Sequence, residues 1–410
     1  MSKIIINIKR LVQIRDKNTS FISANEMSNL PSINNAYLVI KDGLINDFGK
    51  MSDIPKTDNL EIIDAKNKFV LPAWCDSHTH SVFTSNRADE YIQKIRGISY
   101  QEIASNGGGI LKSSDQINKV TEDNLFYESE KRIKKLISYG TGCLEIKSGY
   151  GLNYESELKM LKVIKRLKNS LPILIKSTFL GAHAIPKEYS KKEYFELIIN
   201  KMIPDFSKEN LIDFVDIFCE KNYFSTSEVS KLINEAKKFN LLSKIHVNQF
   251  NSIGGIKVAV ENNALSVDHL EVLNENDINS LKSGKTMPVL LPGCSFFMDI
   301  NYAPAKKLLS NGIPFAIASD FNPGSSPTGN MNFIVSLACN KLKLTTEQAI
   351  NAATLNGAYA MGVSEKSGSI CHGKFANLII TEKLDSIDEL PYYYAENLIY
   401  KILIKGKELG

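Results

Sequence analysis

The chain has 410 residues, 43% of them hydrophobic and 23% charged, a balance typical of a globular protein that forms a core. Its 49 basic and 45 acidic residues give a net charge of +4, and the scattered lysines favour solvated helix faces over a nucleic-acid-binding surface. The start of the chain lacks the apolar stretch of a signal peptide, and no segment approaches a bilayer span, so we expect no membrane contact. Six cysteines without a Cys-x-x-Cys pair predict a reduced, cytoplasmic protein.

Short strands are predicted at both ends of the chain. Residues 36–40 and 44–49 flank the turn signal Lys41-Asp-Gly43 and predict a hairpin. Residues 377–380 and 398–404 are apolar segments that predict two further strands. Because chain termini often lie close together, we expect both ends to build one small β-sandwich domain.

The middle of the chain alternates apolar strand segments with amphipathic helical segments. Two capping boxes, Ser225-x-x-Glu228 and Thr345-x-x-Gln348, predict helix starts. This α/β alternation predicts parallel strands, and eight of them favour a (β/α)₈ TIM-like barrel, with an open doubly wound sheet as the alternative. The predicted domains are residues 1–68, 69–363 and 364–410, of which the first and last form the β-sandwich. The eight strands are predicted at residues 69–80, 140–147, 173–180, 214–218, 241–247, 264–268, 286–291 and 313–319.

Histidines gather at the ends of these predicted strands. Five of the six histidines lie at or just past a C-terminal strand end, and Asp320 follows the eighth strand. In a barrel those ends share one face, where active sites are built. Singly, each residue also fits a hydrogen-bonded core histidine or a helix cap; together they predict a metal centre suited to zinc or iron. The five are His78, His80, His183, His246 and His269.

Longer sequence blocks accompany these histidines. They are Arg87-Ala-Asp-Glu90, Glu145-Ile-Lys-Ser-Gly-Tyr-Gly-Leu152, Thr178-Phe-Leu-Gly-Ala-His-Ala184, Asp268-His-Leu-Glu271 and Ser319-Asp-Phe-Asn-Pro-Gly-Ser-Ser-Pro327. The pair His78-x-His80 after the first predicted strand, together with His246, His269 and Asp320 on later strands, resembles the amidohydrolase superfamily. The blocks resemble the imidazolonepropionase family within it. The resemblance runs through the whole barrel, and the block that begins at Ser319 is its most specific part.

The resemblance implies hydrolysis of 4-imidazolone-5-propanoate to N-formimidoyl-L-glutamate in histidine degradation. It implies one divalent or trivalent metal ion per subunit, zinc or iron, where hydroxide forms and attacks the ring carbonyl. It also implies a homodimer that acts on a small-molecule substrate. The implied metal ligands are His78, His80, His246 and Asp320. The implied substrate contacts are Arg87, Tyr100, Tyr150, His183, Gln249, Asn322, Gly324 and Ser325.

The residue types suit this chemistry. Asp320 would take the proton of the water and pass it to the departing nitrogen, while His269 would orient the water or stabilise the oxyanion. Arg87 offers a planar fork for the propionate group, with a surface ion pair to Asp89 or Glu90 as the alternative. For Tyr150 the alternative is packing, and for residues 322–325 it is a tight turn.

Two departures from neighbouring families bear on the mechanism. The end of the fourth predicted strand, Ile217-Phe-Cys-Glu220, lacks the bridging lysine of binuclear amidohydrolases, which favours one metal ion. Gln249 stands where some relatives carry glutamate, so we assign proton transfer to Asp320 and His269, and leave open whether His269 or Gln249 assists the water. Two alternative functions are another mononuclear amidohydrolase, such as a deaminase of a cyclic amidine, and a non-catalytic barrel scaffold.

Overall fold

The computed structural model describes residues 2–409, without the side chains of Tyr100, Gln101 and Ala104. Within this range the strands form one sheet of seven strands and one of eight, and no helix is both long enough and apolar enough to cross a membrane. The strands are, in chain order, β1 (Ser2–Val12), β2 (Ser32–Lys41), β3 (Leu44–Lys50), β4 (Glu61–Pro72), β5 (Trp74–Asp76), β6 (Thr141–Lys147), β7 (Leu174–Ala182), β8 (Phe214–Cys219), β9 (Leu242–Val247), β10 (Ser266–His269), β11 (Met287–Leu290), β12 (Ala316–Ile317), β13 (Leu378–Thr381), β14 (Ile399–Ile404) and β15 (Lys407–Leu409).

Helices separate the strands of the eight-stranded sheet. The predicted capping box at the start of the helix Thr346–Ala353 is confirmed, because Gln348 N donates to Thr345 Oγ1 and Thr345 N donates to Gln348 Oε1. The helices are α1 (Ala88–Ile95), α2 (Tyr100–Ser105), α3 (Ile110–Lys119), α4 (Glu122–Ser138), α5 (Tyr154–Ser170), α6 (Lys191–Leu197), α7 (Ile203–Lys208), α8 (Thr226–Lys237), α9 (Gly255–Glu261), α10 (Glu275–Lys282), α11 (Pro292–Met298), α12 (Ala305–Ser310), α13 (Met331–Asn340), α14 (Thr346–Ala353), α15 (Leu355–Ala360) and α16 (Glu389–Tyr392), with single turns at Ala24–Glu26, Met51–Asp53 and Ile198–Met202.

The eight-stranded sheet is the predicted barrel. Its spatial order, β5 to β12, follows the chain, and each strand pairs in parallel with the next. Parallel neighbours joined by helices are the arrangement that the alternating pattern predicts, so the fold class is confirmed. Apolar side chains of strands and helices meet in one large core cluster around the barrel.

The barrel closes just beyond the ends of its first and last strands. Thr79 and Phe321 form a parallel bridge, His80 N donates to Phe321 O at 2.8 Å, and Asp320 N donates to His78 O at 3.0 Å. These bonds run between the segment that follows β5 and the segment that follows β12. The closure therefore holds His78 and His80 directly beside Asp320.

The seven-stranded sheet joins the two ends of the chain. The predicted hairpin is confirmed as β2 paired antiparallel with β3, and the C-terminal strand β13 pairs antiparallel with β4. The strands form one continuous sheet with its own apolar cluster, which includes Ile5, Leu38 and Leu403. The division into residues 1–68, 69–363 and 364–410 stays a prediction.

The first barrel strand differs from its prediction at residues 69–80. Residues 69–72 belong to β4 in the seven-stranded sheet, where Val70 pairs with Leu11. The barrel strand β5 covers only Trp74–Asp76, and His78 and His80 follow it in the segment that closes the barrel. The apolar run is continuous in sequence, so no residue type marks the point where the chain passes from one sheet to the other.

A buried tryptophan ties β5 to helix α13. Trp74 is the only tryptophan of the chain and is 1% exposed. Its indole Nε1 donates to Asn332 Oδ1 at 3.1 Å, and Asn332 Nδ2 donates to the carbonyl oxygen of Tyr139 at 3.2 Å. Asn332 thus joins the first barrel strand, the end of α4 and the start of α13.

Replacing Asn332 with alanine should lower the free energy of unfolding by about 1–3 kcal/mol, because the buried indole N–H loses its acceptor. Urea unfolding followed by Trp74 fluorescence measures this change. The matched control is Asn340→Ala on the same helix, where the side chain is exposed and should contribute little. Equal unfolding midpoints for both variants would contradict the expected role of Asn332.

Candidate metal centre and active site

The C-terminal ends of the barrel strands surround a pocket. It brings together most of the residues predicted from sequence, and it adds Ile110 and Phe218, which the sequence did not single out. His78 lies below the pocket and is fully buried, and the side chain of Tyr100, at the start of α2, lies outside the described residues. The pocket is lined by His80, Arg87, Ile110, Tyr150, His183, Phe218, His246, Gln249, His269, Asp320, Asn322 and Ser325.

The floor of the pocket brings metal-binding atoms together. His78, His80 and Asp320 form one group, and His78, His246 and His269 form another, each with ligand atoms within 4.8 Å of one another. Asp320 Oδ1 lies 3.5 Å from His78 Nε2 and 3.6 Å from His80 Nε2. Among the described residues, His78 Nε2 and His246 Nε2 are buried atoms without a hydrogen-bond partner. Because buried polar atoms are normally satisfied, this donor set fits a metal ion.

Two aspartates orient the histidines of this floor. Asp268 Oδ2 lies 2.6 Å from His78 Nδ1, and Asp216 Oδ2 lies 2.8 Å from His246 Nδ1. A carboxylate accepts hydrogen bonds, so each Nδ1 carries the proton and each Nε2 offers its lone pair. Carboxylates that hold histidines in this way are the usual outer partners of metal-binding imidazoles.

Two lysines stand beside these aspartates inside the barrel. Lys147 Nζ donates to Glu145 Oε1 at 2.7 Å and to Asp216 Oδ2 at 2.8 Å, and it lies 3.5 Å from Asp268 Oδ2. Lys244 Nζ donates to Glu145 Oε2 and to two backbone carbonyls. All five side chains are fully buried, and we call them the lysine–carboxylate network. Burial would lower the pKa of Lys147, but Asp216 and Glu145 raise it above its usual value.

Burial sets the protonation of the groups on the floor. It lowers the pKa of His78, His80 and His246 well below the usual value, which keeps the imidazoles neutral and ready to act as ligands. It also raises the pKa of Asp320 to about 6, against the opposing charge of His269. For His269, burial is outweighed by the charge and the hydrogen bond of Glu271, so its pKa is raised.

The backbone is strained where these groups are presented. His269 has φ +91°, Leu270 has φ +66° and Asp320 has φ +51°. Positive φ is uncommon for residues other than glycine and is a real outlier for a bulky residue such as leucine. Hydrogen bonds from Leu270 N to Val247 O and from Asp320 N to His78 O fix the two segments. Such strain concentrates at functional sites, and here it coincides with the floor.

A buried arginine defines the far end of the pocket. Arg87 is 3% exposed, its backbone N donates to Pro323 O at 3.0 Å, and its Nη1 lies 3.8 Å from Glu90 Oε2. A Cβ atom at Gly324 would overlap the guanidinium group. The glycine is therefore needed for the arginine to occupy this position.

The segment that follows Asp320 is a tight turn held by one side chain. Asn322 Oδ1 accepts hydrogen bonds from Gly324 N at 2.8 Å and Ser325 N at 2.7 Å, and its Nδ2 donates to Asp320 O at 2.6 Å. These bonds describe an Asx turn. The turn fixes the position of Gly324, which packs against Arg87, relative to Asp320.

Aromatic rings form one wall of the pocket. The rings of His80 and His183 stack at 5.2 Å, and Tyr150 lies 5.6 Å from each of them. Burial lowers the pKa of His183 to about 4, so the ring is neutral at pH 7. Gln249 also lines the pocket, and its Nε2 donates to Cys294 Sγ at 3.5 Å.

The aspartates that orient the histidines, and the lysines beside them, were not predicted from the sequence. Asp216 lies in the apolar strand β8 and Lys244 in β9, two residues before His246. A charged residue within an apolar strand was the available signal, because such a group is almost never buried unpaired. Asp268 and Glu271 appeared only as parts of a family block, without a role of their own.

Comparisons with known proteins agree with this geometry. The sequence profile of the amidohydrolase family matches residues 69–409. A protein of Flavobacterium psychrophilum named imidazolonepropionase is 52% identical over 99% of this chain and 100% of its own length, and one of Christiangramia forsetii with the same name is 53% identical over the same shares. The crystal structure of a guanine deaminase from C. acetobutylicum has a TM-score of 0.73 at 17% identity and covers all of both chains, which bears on the fold alone. The chain belongs to the amidohydrolase family and, within it, to the imidazolonepropionases.

Proposed function

We propose that this chain hydrolyses 4-imidazolone-5-propanoate to N-formimidoyl-L-glutamate, a step of histidine degradation. The observation that carries the proposal is the pairing of a metal-binding floor with a buried arginine in one pocket. The floor suits attack on a carbonyl carbon, and Arg87 suits a carboxylate at the other end of the same small molecule. The names of the full-length relatives support the same substrate.

We further propose that His78, His80, His246 and Asp320 hold one zinc or iron ion. Their nitrogen and carboxylate donors suit either metal. When bound, the ion would lower the pKa of water toward about 7 and so supply a nucleophile at neutral pH. His78 and His246 would meet it through Nε2, since their Nδ1 atoms are held by Asp268 and Asp216.

In this proposal Asp320 transfers the proton, and His269 stabilises the negative charge that develops. Asp320, beside the imidazoles of His78 and His80, accepts a proton from the attacking water and returns it to the ring nitrogen. The water oxygen joins the carbonyl carbon as the ring C–N bond breaks. His269, whose pKa is raised beside Glu271, stabilises the negative charge that develops on the carbonyl oxygen.

The pocket wall and its far end position the substrate in this proposal. Arg87 binds the propionate, with Asn322, Gly324 and Ser325 shaping the turn beside it. Tyr150, His183 and Gln249 surround the ring, and Tyr100 stays a predicted contact. The homodimer and the cytoplasmic location also stay predictions from the sequence and the family resemblance.

Purified enzyme should consume imidazolone propionate, and a chelator should abolish the activity until zinc or iron is restored. His78→Ala should lose the metal and lower kcat/KM at least a thousandfold, because a metal ion contributes several kcal/mol to such a reaction. A spectrophotometric assay with metal analysis of the same samples measures both effects. The control is His372→Ala, a histidine far from the cluster whose side chain is 61% exposed. Full turnover by metal-free His78→Ala would overturn the proposed metal dependence, and a wild type that does not consume imidazolone propionate would overturn the proposed function.

Asp216→Asn should weaken metal binding about 10- to 100-fold, because His246 loses the carboxylate that fixes its ring. Competition with a chelator of known affinity measures the dissociation constant. The matched control is Asp213→Asn just before β8, where the carboxylate pairs with Lys168 and Lys176 instead. A dissociation constant equal to that of the wild type would contradict the role of Asp216.

Arg87→Met should lower kcat/KM about a hundredfold or more, mainly through KM, because each charge-assisted hydrogen bond to the propionate contributes about 1.5–3 kcal/mol. Metal content should stay unchanged, since Arg87 belongs to neither ligand group. Steady-state kinetics test this effect, with the exposed Arg96→Met as control. An unchanged KM would mean that the propionate binds elsewhere.

A further inference from the structure

Glu157, for which the sequence predicted no role, lies against the loop that carries Tyr150 in the pocket wall. Glu157 is in the first turn of α5 and is fully buried. Its Oε1 accepts hydrogen bonds from Gly151 N at 2.7 Å and Leu152 N at 3.0 Å, and its Oε2 accepts one from Gly149 N at 3.1 Å. One carboxylate thus binds three backbone amides of the loop between β6 and α5, residues 148–152.

Hydrogen bonds stabilise the buried carboxylate of Glu157. Burial raises the pKa of Glu157, while the Ser148 hydroxyl and the amides of Leu152, Gly151 and Gly149 oppose that shift. An ionised carboxylate away from water is costly unless such donors surround it. The concave set of amides in the 148–152 loop is a typical anion-binding arrangement, here filled by the protein's own side chain.

The loop needs this support because its backbone is unusual. Gly149 has φ +102° and Leu152 has φ +54°. A Cβ atom at residue 149 would lie 2.8 Å from the carbonyl oxygen of Leu180, so the loop is also packed closely against β7. Conformations of this kind persist only where the surroundings hold them.

The same loop carries one wall residue and fixes another. Tyr150 stands between two of the amides that Glu157 binds, and its ring lies 5.6 Å from the ring of His183. The carbonyl oxygen of Gly149 lies 3.1 Å from His183 Nδ1. Because a carbonyl oxygen only accepts, Nδ1 carries the proton of the neutral ring, which leaves Nε2 as an acceptor.

We propose that Glu157 is a positioning residue for substrate recognition: by holding the 148–152 loop, it sets the Tyr150 ring and selects the His183 tautomer that accepts an N–H from the substrate ring. The part that concerns the substrate rests on the proposed function. The metal ligands lie on other segments, so Glu157 acts on recognition and leaves metal binding unchanged.

The test compares Glu157→Gln and Glu157→Asp with the control Glu155→Gln. Glutamine keeps the shape, but its NH₂ group faces a backbone N–H that needs an acceptor; aspartate keeps the charge but is one methylene shorter. We expect kcat/KM for imidazolone propionate to fall about 10- to 100-fold in Glu157→Gln, mostly through KM, with full metal content. The kcat/KM of Glu157→Asp should lie between those of Glu157→Gln and the wild type. Glu155 lies in the same helical turn but is exposed, so its variant should match the wild type within twofold.

Two measurements distinguish positioning from folding. Nitrogen-15 NMR of histidine-labelled enzyme should show His183 protonated at Nδ1 in the wild type and a mixture of tautomers in Glu157→Gln. Amide hydrogen exchange in the wild type should show Gly149, Gly151 and Leu152 strongly protected, a readout that requires no variant to fold.

The proposal is overturned if Glu157→Gln retains wild-type KM, if its losses follow metal content or the unfolded fraction, or if the three loop amides exchange rapidly. If the wild type itself fails to consume imidazolone propionate, the proposed function fails, while the exchange and NMR results still decide whether Glu157 holds the loop and the His183 tautomer.

Discussion

The proposed metal site depends on the charge balance of the lysine–carboxylate network inside the barrel. Three buried carboxylates, Glu145, Asp216 and Asp268, face two buried ammonium groups, Lys147 and Lys244, which leaves a formal charge of −1. Burying an unpaired ion costs several kcal/mol, so neither the lysines nor the aspartates are stable there alone. The residual negative charge adjoins the imidazoles of His78 and His246 and would complement a cation that they hold. The lysines thereby allow Asp216 and Asp268 to remain acceptors for His246 and His78.

The lysine–carboxylate network and part of the pocket floor follow from the geometry of β-strands. Side chains two residues apart point to the same side of a strand, so Lys244 and His246 both face the barrel interior from β9, one layer apart. Glu145 and Lys147 repeat the arrangement on β6. His78 and His80 lie outside a strand, and it is their backbone bonds to residues 320 and 321 that align them. Strand alternation thus places His246, and barrel closure places His78 and His80, at the same end of the barrel.

The sequence predicted the elements better than the connections between them. Eight strands, the hairpin near the N-terminus and the gathering of five histidines with Asp320 all followed from periodicity and position, whereas the choice of four proposed metal ligands among them came from the family resemblance. The passage from β4 to β5 was not predicted, because residues 69–75 are apolar throughout and only tertiary pairing separates the two sheets. The lysine–carboxylate network was equally hidden, since its members come from four strands and each charge makes sense only beside the others.

Two loop segments beside the pocket are held in the same way. Neither residues 148–152 nor residues 322–325 belong to a strand or helix, and both have backbone amides bound by a single side chain, Glu157 in one and Asn322 in the other. Strand β9 and the closure of the barrel set the positions of the proposed metal ligands, whereas these side-chain acceptors set the shape of the wall and of the turn beside Arg87. Changes in such an acceptor would therefore alter which molecule fits the pocket while the floor keeps its chemistry. A barrel with a fixed floor and separately fixed loops can thus change substrate without rebuilding its metal site.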